Sequence, residues 1–151
     1  MKRNKKQCGC NNPKILNIKW QRLVNEGETC PRCGSTEKEL DQAISALKKS
    51  LAPLGIKVTL ETEELSFSEF MMDPLQSNRI WMNNQPLEYF INGEVGQSPC
   101  CNVCGPSDCR TVKVKGETYE TISSDLIIQA GLAATTQMIR SSKDESCCGS
   151  D

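Results

Sequence analysis

The sequence has no histidine, few aromatic residues and almost no net charge. The lack of imidazole excludes Ser-His and Cys-His catalytic dyads and every zinc site that needs a histidine ligand. The formal net charge is −1 and the basic residues are scattered, so we expect no nucleic-acid partner. No apolar run follows the basic start MKRNKK, and none is long enough to span a membrane. The expected location is therefore cytoplasmic, without a membrane partner.

Cysteine is the residue that the chain has in excess, with ten in 151 residues. A chain of this length can bury a core and fold as one domain without disulfide support. In a reducing cytosol, a high cysteine count indicates metal binding or redox work rather than structural bridges. Thiols are therefore the expected agents of any chemistry.

The first half of the chain predicts a strand, a long helix and a second strand. Apolar residues alternate over residues 15–21, and again over residues 56–61. Between them, residues 40–54 carry apolar side chains at the three-and-four spacing of a helix, with Thr36 and Glu39 as a predicted capping box. A connection that contains so long a helix predicts that the two strands are parallel neighbours.

Turn residues predict the elements that follow. Ser66 and Glu69 form a second capping-box pattern at the start of a short helix, whose Met71-Met72 pair we expect in the core. The segment RIWMNNQPLEYFI predicts a hairpin of two strands that turns at Asn83-Asn84, because asparagine tolerates left-handed backbone conformations. Pro86 places the second arm of that hairpin at a sheet edge.

The last part of the chain predicts a second hairpin, a helix and a tail. Lys115-Gly116 is the expected turn of the hairpin, and Ser123 or Ser124 is expected to cap a helix from 125 to about 139. The predicted organisation is a flexible arm over 1–13, a domain over 14–140 with a cysteine-rich insertion over about 97–121, and a flexible tail over 141–151.

The segment Cys30-Pro31-Arg32-Cys33 lies between the first predicted strand and the helix. This order puts both thiols at a helix N-terminus, where unpaired N–H groups and the helix dipole favour a thiolate. Arg32 adds a positive charge between them. We expect Cys30 to be the exposed nucleophile and Cys33 the thiol that resolves the mixed disulfide. Metal or metalloid binding by the pair, and a purely structural role, are the alternatives.

At these residues the chain resembles the thioredoxin-like superfamily, and within it a cysteine-rich prokaryotic branch known as a domain of unknown function. The resemblance covers residues 15–91, with the last helix as a further candidate element. It implies an α/β fold with a mixed sheet flanked by helices, the CPRC pair at the end of the first strand, and thiol–disulfide exchange. The family places a cis-proline opposite the pair. Residues 75–80 have no proline there, which leaves room for metal binding.

A second cysteine cluster contains Cys100, Cys101, Cys104 and Cys109. Cys101-x-x-Cys104 has the spacing of a zinc knuckle, and Cys109 with either Cys100 or Cys30 could complete a four-thiolate shell. Zinc and an iron–sulfur cluster both fit these ligands. A relay that exchanges disulfides with Cys30-Cys33 is the alternative, and a disulfide-stapled loop is disfavoured in a reducing cytosol.

Both ends of the chain carry accessory thiols, Cys8 and Cys10 in the arm and Cys147 and Cys148 in the tail. Such close pairs form strained disulfides but bind soft ions such as Hg(II), As(III) or Cu(I). Our hypothesis is that they load or unload the central thiols, the alternative being that they have no role.

The sequence therefore predicts a thiol–disulfide oxidoreductase whose redox pair needs no cofactor. Its partners would be a protein or small-molecule disulfide and a reductase. A second hypothesis is a protein that binds soft metal ions for sensing, storage or detoxification. A third is an adaptor whose cysteine loop holds a structural zinc ion.

Overall fold

A computed structural model describes residues 14–24, 27, 31–99 and 108–144 of the chain. The strands are β1 (Lys14–Leu23), β2 (Ile56–Leu65), β3 (Arg79–Met82), β4 (Gln85–Pro86), β5 (Glu94–Pro99), β6 (Asp108–Val114) and β7 (Glu117–Tyr119). The helices are α1 (Pro31–Leu51), α2 (Phe67–Met72), α3 (Leu87–Ile91) and α4 (Ser124–Asp144), with 3₁₀ turns at Ala52–Leu54 and Pro74–Gln76.

The first sheet has four strands in the order β2-β1-β3-β4. β1 and β2 are parallel over ten residue pairs, from Lys14↔Ile56 to Leu23↔Leu65, which confirms the prediction drawn from the long helix between them. β3 runs antiparallel to β1 and pairs with β4. β1 is therefore a central strand of this sheet, and α1 follows it in the chain.

The core lies between one face of this sheet and the two long helices. Leu16, Ile18 and Trp20 point to that face from β1 and are buried, as their alternation predicts. Gly131 shows how closely the layers approach: a Cβ there would lie 2.8 Å from a methyl carbon of Leu47 and 3.5 Å from one of Leu16. Helices α1 and α4 and strand β1 therefore meet at one point, where only glycine fits without movement.

A second, three-stranded antiparallel sheet has the order β5-β6-β7. The predicted turn at Lys115-Gly116 is confirmed, and both residues have positive φ, 51° and 82°. β5 was not predicted, because its side chains are exposed or half-buried and carry no apolar alternation. β5 is a strand because it pairs with β6 along its whole length.

Several local predictions are confirmed. Ser66 and Glu69 form the predicted capping box at the start of α2. Asn83 and Asn84 form the turn between β3 and β4 with φ of 49° and 70°. Ser123 caps α4, since its hydroxyl accepts a hydrogen bond from the Leu126 N–H at 3.3 Å. Pro86 lies in β4, at the edge of the first sheet.

Other local predictions are wrong. Thr36 and Glu39 do not cap α1, because the helix already begins at Pro31. The second arm of the asparagine hairpin ends after Pro86, and the apolar run that follows it forms α3 instead of a strand. Met71 and Met72 are 45% and 87% exposed, because Phe70 is the residue with which α2 contacts the core.

The predicted fold class, a mixed α/β sheet flanked by helices, is confirmed. The order of elements agrees with what the thioredoxin-like resemblance implies, while membership of that superfamily stays a prediction, as do the domain boundaries. Among the described helices, none combines the length and the apolar character needed to cross a bilayer.

Candidate thiol site at the start of helix α1

Cys33 lies in the first turn of α1, the helix that follows β1 in the chain. Its residue exposure is 1%, and it belongs to the same hydrophobic cluster as Trp20 and Leu40. A sulfur in the first turn of a helix is close to backbone N–H groups that no carbonyl of the helix satisfies. The position therefore combines burial with the positive end of the helix dipole.

Ser77 brings a hydroxyl to this sulfur. Its Oγ lies 3.6 Å from Cys33 Sγ, and it accepts a hydrogen bond of 3.0 Å from the Leu23 N–H at the end of β1. The serine is completely buried. One side chain thus joins the end of the central strand to the thiol at the start of the helix.

The loop that carries Ser77 has a fixed backbone. The Asp73 carboxylate accepts a hydrogen bond from the Leu75 N–H at 3.2 Å and so caps the 3₁₀ turn. Asn78 has a φ of 62°, and its side chain accepts from Trp20 Nε1 at 3.2 Å and donates to the Glu120 carbonyl at 3.5 Å. The thioredoxin-like resemblance matches this stretch to the one where that family has a cis-proline. Within the described residues every peptide bond is trans.

A buried ion pair contacts the 3₁₀ turn that precedes Ser77. Arg110 of β6 pairs with Glu88 of α3, and both side chains are almost completely buried. Arg110 also donates a 2.9 Å hydrogen bond to the Leu75 carbonyl. Burial, and to a smaller degree the positive charge of Arg79, lowers the pKa of Arg110 to about 10. The guanidinium therefore stays charged at neutral pH, and it attaches the second sheet to the loop that contacts Cys33.

Cys109 begins the buried part of β6, next to Arg110 in the sequence. It is 1% exposed and belongs to the same core cluster as Cys33. Its partner across the strand pair is Ser98, whose hydroxyl donates to the Glu120 carboxylate at 3.3 Å. Glu120 in turn accepts from Asn78 through its backbone carbonyl. Contacts thus run from the β5–β6 pair to the loop beside Cys33.

The segment before α4 crosses the N-terminal part of α1. The Thr36 hydroxyl accepts a hydrogen bond from the Ile122 N–H at 3.2 Å, and the Glu39 carboxylate accepts one from the Ser124 N–H at 3.3 Å. Thr36 and Glu39, which were predicted to cap α1, therefore bind the backbone at the start of α4 instead. They fix α4 relative to the thiol site.

The structure describes two of the predicted thiols, Cys33 and Cys109, and places both in one core. Arg32 lies in α1, and its side chain is outside the described part. The remaining predicted thiols lie outside the described residues: Cys8, Cys10, Cys30, Cys100, Cys101, Cys104, Cys147 and Cys148. Between residues 14 and 144, counting only the described ones, no three cysteine or carboxylate side chains are grouped closely enough to hold a metal ion.

The sequence did not identify Ser77, Asn78 or Arg110 as parts of the site. Asn78 carries the clearest local signal, since asparagine before a strand often marks a left-handed residue. Ser77 and Arg110 carry none, because each reaches its partner across more than thirty residues of sequence: Ser77 reaches Cys33 over 44 residues and Arg110 reaches Leu75 over 35.

Comparison with known proteins identifies relatives of this chain. A protein of Archaeoglobus fulgidus, named only as an uncharacterized protein, is 46% identical over 112 residues, which are 74% of this chain and 82% of the relative. No solved structure matches the chain significantly. A protein-family model matches residues 16–131, a span that includes most of β1, the CPRC segment, the Ser77 loop and the cysteine cluster up to Cys109. The chain therefore belongs to the family described as Domain of unknown function (DUF2703).

Proposed function

We propose that this protein is a thiol–disulfide oxidoreductase that uses Cys30 and Cys33. The observation that carries the proposal is the buried position of Cys33 in the first turn of α1, with the Ser77 hydroxyl beside its sulfur. A helix N-terminus favours the thiolate form of a cysteine, which is the form that attacks disulfides. Cys30 precedes this helix by one residue in the sequence, so the pair has the CxxC spacing at a helix start.

The burial of Cys33 supports the division of roles within the pair. Attack on a disulfide needs a sulfur that the substrate can approach in line with its S–S bond. At 1% exposure, Cys33 cannot meet an external substrate, whereas it can attack a disulfide formed by its neighbour in the motif. Cys30 is therefore the attacking thiol and Cys33 the resolving one. Arg32 supplies positive charge in the same turn, which stabilises a thiolate.

The reaction has two exchange steps. The Cys30 thiolate attacks a disulfide R–S–S–R′, forms a Cys30–S–S–R bond and releases R′–S⁻. Cys33 then attacks the Cys30 sulfur, so that a Cys30–Cys33 disulfide forms and R leaves as a thiol. The substrate gains two electrons and the pair loses two, and a cellular reductase restores the dithiol. The second cluster, through Cys109 in the shared core, is the candidate relay.

The positions of three tryptic sites allow a direct test. Trypsin cleaves after Arg22, Arg32 and Lys38, so a Cys30–Cys33 disulfide links the peptides 23–32 and 33–38. Reduced protein is treated with one equivalent of glutathione disulfide, quenched with acid and mapped by mass spectrometry. We expect the linked pair in the wild type, and glutathione bound to Cys30 in Cys33→Ser.

Two variants complete this test. Cys30→Ser should lose turnover with glutathione disulfide, whereas Cys8→Ser, which removes a thiol outside the motif, should keep it. A Cys30→Ser variant as active as the wild type would refute the assignment. The proposed setting is the cytosol, whose reducing poise keeps the resting pair as dithiol.

A second candidate function is soft-metal binding at Cys100, Cys101, Cys104 and Cys109. It is favoured by the knuckle spacing and by the burial of Cys109, since a thiolate shell shielded from water is typical of structural zinc sites. Anaerobically purified protein with about one zinc or one iron–sulfur cluster per chain, lost in Cys101→Ser and Cys104→Ser, would support it. Such a site can coexist with the redox pair. Metal-free protein that binds arsenite or Hg(II) through the terminal thiols and shows no turnover would replace the first proposal.

A further inference from the structure

The Ser77 hydroxyl lies between a backbone donor and the Cys33 sulfur. The Leu23 N–H donates to Ser77 Oγ at 3.0 Å, and Cys33 Sγ lies 3.6 Å from the same oxygen, within hydrogen-bond range for sulfur. Serine and cysteine are both buried, so bulk water does not solvate this contact. A hydrogen bond here acts in a medium of low dielectric constant.

The hydrogen of this hydroxyl has a preferred direction. A serine hydroxyl has one hydrogen and two lone pairs. The Leu23 N–H can only donate, so it occupies one lone pair of Ser77 Oγ. The hydroxyl hydrogen then remains available for Cys33. A thiolate at this position can accept it, and a buried anion needs such a donor because desolvation is costly.

We propose that Ser77 is a catalytic residue, whose O–H donates a hydrogen bond to the Cys33 thiolate during disulfide exchange. This inference rests on the proposed oxidoreductase function. In the forward direction, Cys33–S⁻ attacks the Cys30 sulfur of the mixed disulfide, the Cys30–Cys33 bond forms, the Cys30–substrate bond breaks, and the proton lost by Cys33 ends on the departing thiol. In the reverse direction, the thiolate of the reductase attacks Cys30, and Cys33 leaves as a thiolate that Ser77 stabilises.

The surrounding contacts hold the hydroxyl in place before the reaction begins. The Asn78 side chain accepts a hydrogen bond from Trp20 and donates one to the Glu120 carbonyl, and Arg110 donates one to the Leu75 carbonyl. A donor that is already oriented costs no reorganisation when charge develops on its partner. The loop therefore presents a fixed donor to the sulfur that carries charge in both directions of exchange.

Ser77→Ala, Ser77→Thr and Asp73→Ala test the proposal. Alanine removes the hydroxyl, threonine retains it, and Asp73→Ala removes a hydrogen bond of the same loop that does not touch Cys33. Two quantities are measured with the linked tryptic peptides: the rate at which Cys33 resolves the Cys30–glutathione disulfide, and the midpoint potential of the pair in glutathione buffers. Thermal melts establish that each variant is folded.

We expect Ser77→Ala to resolve the mixed disulfide about tenfold more slowly, because loss of a hydrogen bond to a charged group is of this order. The potential of the pair should become more negative by up to about 30 mV, the equivalent of a tenfold change in equilibrium constant for two electrons. Ser77→Thr should restore most of both values, and Asp73→Ala should stay within about twofold of the wild type. If Ser77→Ala does not fold, Ser77→Gly removes the same hydroxyl.

Three outcomes would overturn the inference. If Ser77→Ala matches the wild type in rate and potential, Ser77 has no catalytic role and the oxidoreductase proposal still stands. If Ser77→Thr and Asp73→Ala are as slow as Ser77→Ala, the loop acts through packing rather than through the hydroxyl. If the wild type never yields the linked peptides, the oxidoreductase proposal itself fails, and the role of Ser77 fails with it.

Discussion

Arg110→Met tests how much the buried ion pair beside the Ser77 loop stabilises the fold. Arg110 pairs with Glu88 and donates to the Leu75 carbonyl, and it is 4% exposed. Methionine retains the length and apolar stem of arginine but not the guanidinium. The substitution therefore leaves the Glu88 carboxylate buried without its cation.

The expected cost follows from this uncompensated charge. Removal of one partner from a buried ion pair destabilises proteins by about 3–5 kcal/mol. Domains of this size unfold with roughly 5–15 kcal/mol, so the variant should retain only a part of its stability. At about 2–4 °C per kcal/mol, the melting temperature should fall by about 6–20 °C. The double variant Glu88→Met/Arg110→Met should recover most of the loss, because it buries no charge.

Urea denaturation followed by circular dichroism measures these free energies. Lys19→Met is the matched control, since Lys19 pairs with Glu63 at 2.6 Å on a half-exposed surface and should contribute only about 0.2–1 kcal/mol. A cost below about 1 kcal/mol for Arg110→Met would refute the reasoning. So would a double variant whose loss equals the sum of the two single losses, because the pair would then not be coupled.

Four further substitutions test side-chain contacts and backbone conformation. Thr36→Val should cost about 1–3 kcal/mol in urea denaturation, because it leaves the buried Ile122 N–H without its acceptor; a loss under about 0.5 kcal/mol would contradict that contact. Gly55→Ala should destabilise by about 1 kcal/mol because its φ is 70°, whereas Gly34→Ala, in α1 with open space around it, should stabilise by about 0.5–1 kcal/mol; equal effects in thermal melts would refute the distinction. Met72→Lys should change the melting temperature by less than about 2 °C, and a larger loss would mean that α2 packs through this residue.

The sequence predicted those elements whose signal is local. The alternation of β1 and β2, the helical spacing of α1, and the turns at Asn83-Asn84 and Lys115-Gly116 were all correct, because period and turn chemistry determine them directly. The Ser66–Glu69 capping box was correct for the same reason, since its four residues stabilise each other.

Predictions from the sequence were wrong or missing for elements whose conformation depends on residues far away in the chain. Thr36 and Glu39 satisfy the capping-box spacing, but the helix starts five residues earlier, and their side chains bond to backbone N–H groups 86 and 85 residues away. α3 has the composition of a strand and becomes a helix, and β5 has no strand pattern at all. In each case tertiary contacts override a weak local preference.

Only a part of the candidate site could be predicted from local sequence patterns. Cys33 could be placed at a helix start from the CPRC spacing and the strand before it, because chain order alone brings them together. Ser77 could not, because no pattern near Ser77 refers to a residue 44 positions earlier. The thioredoxin-like resemblance directs attention to this loop only through a missing proline, whereas the structure places there a hydroxyl, a left-handed asparagine and a carbonyl that accepts a hydrogen bond from Arg110.

The contact between Thr36 and Ile122 has a consequence for biosynthesis. Ile122 is translated 86 residues after Thr36, which corresponds to about 4–17 s at about 5–20 residues per second. During that interval the start of α1, which carries Cys33, has already been made, whereas Ile122 and the residues after it have not. The contacts that hold the start of α4 against the start of α1 can therefore form only after the chain has been made up to Ser124, so Cys33 gains this part of its surroundings late in synthesis.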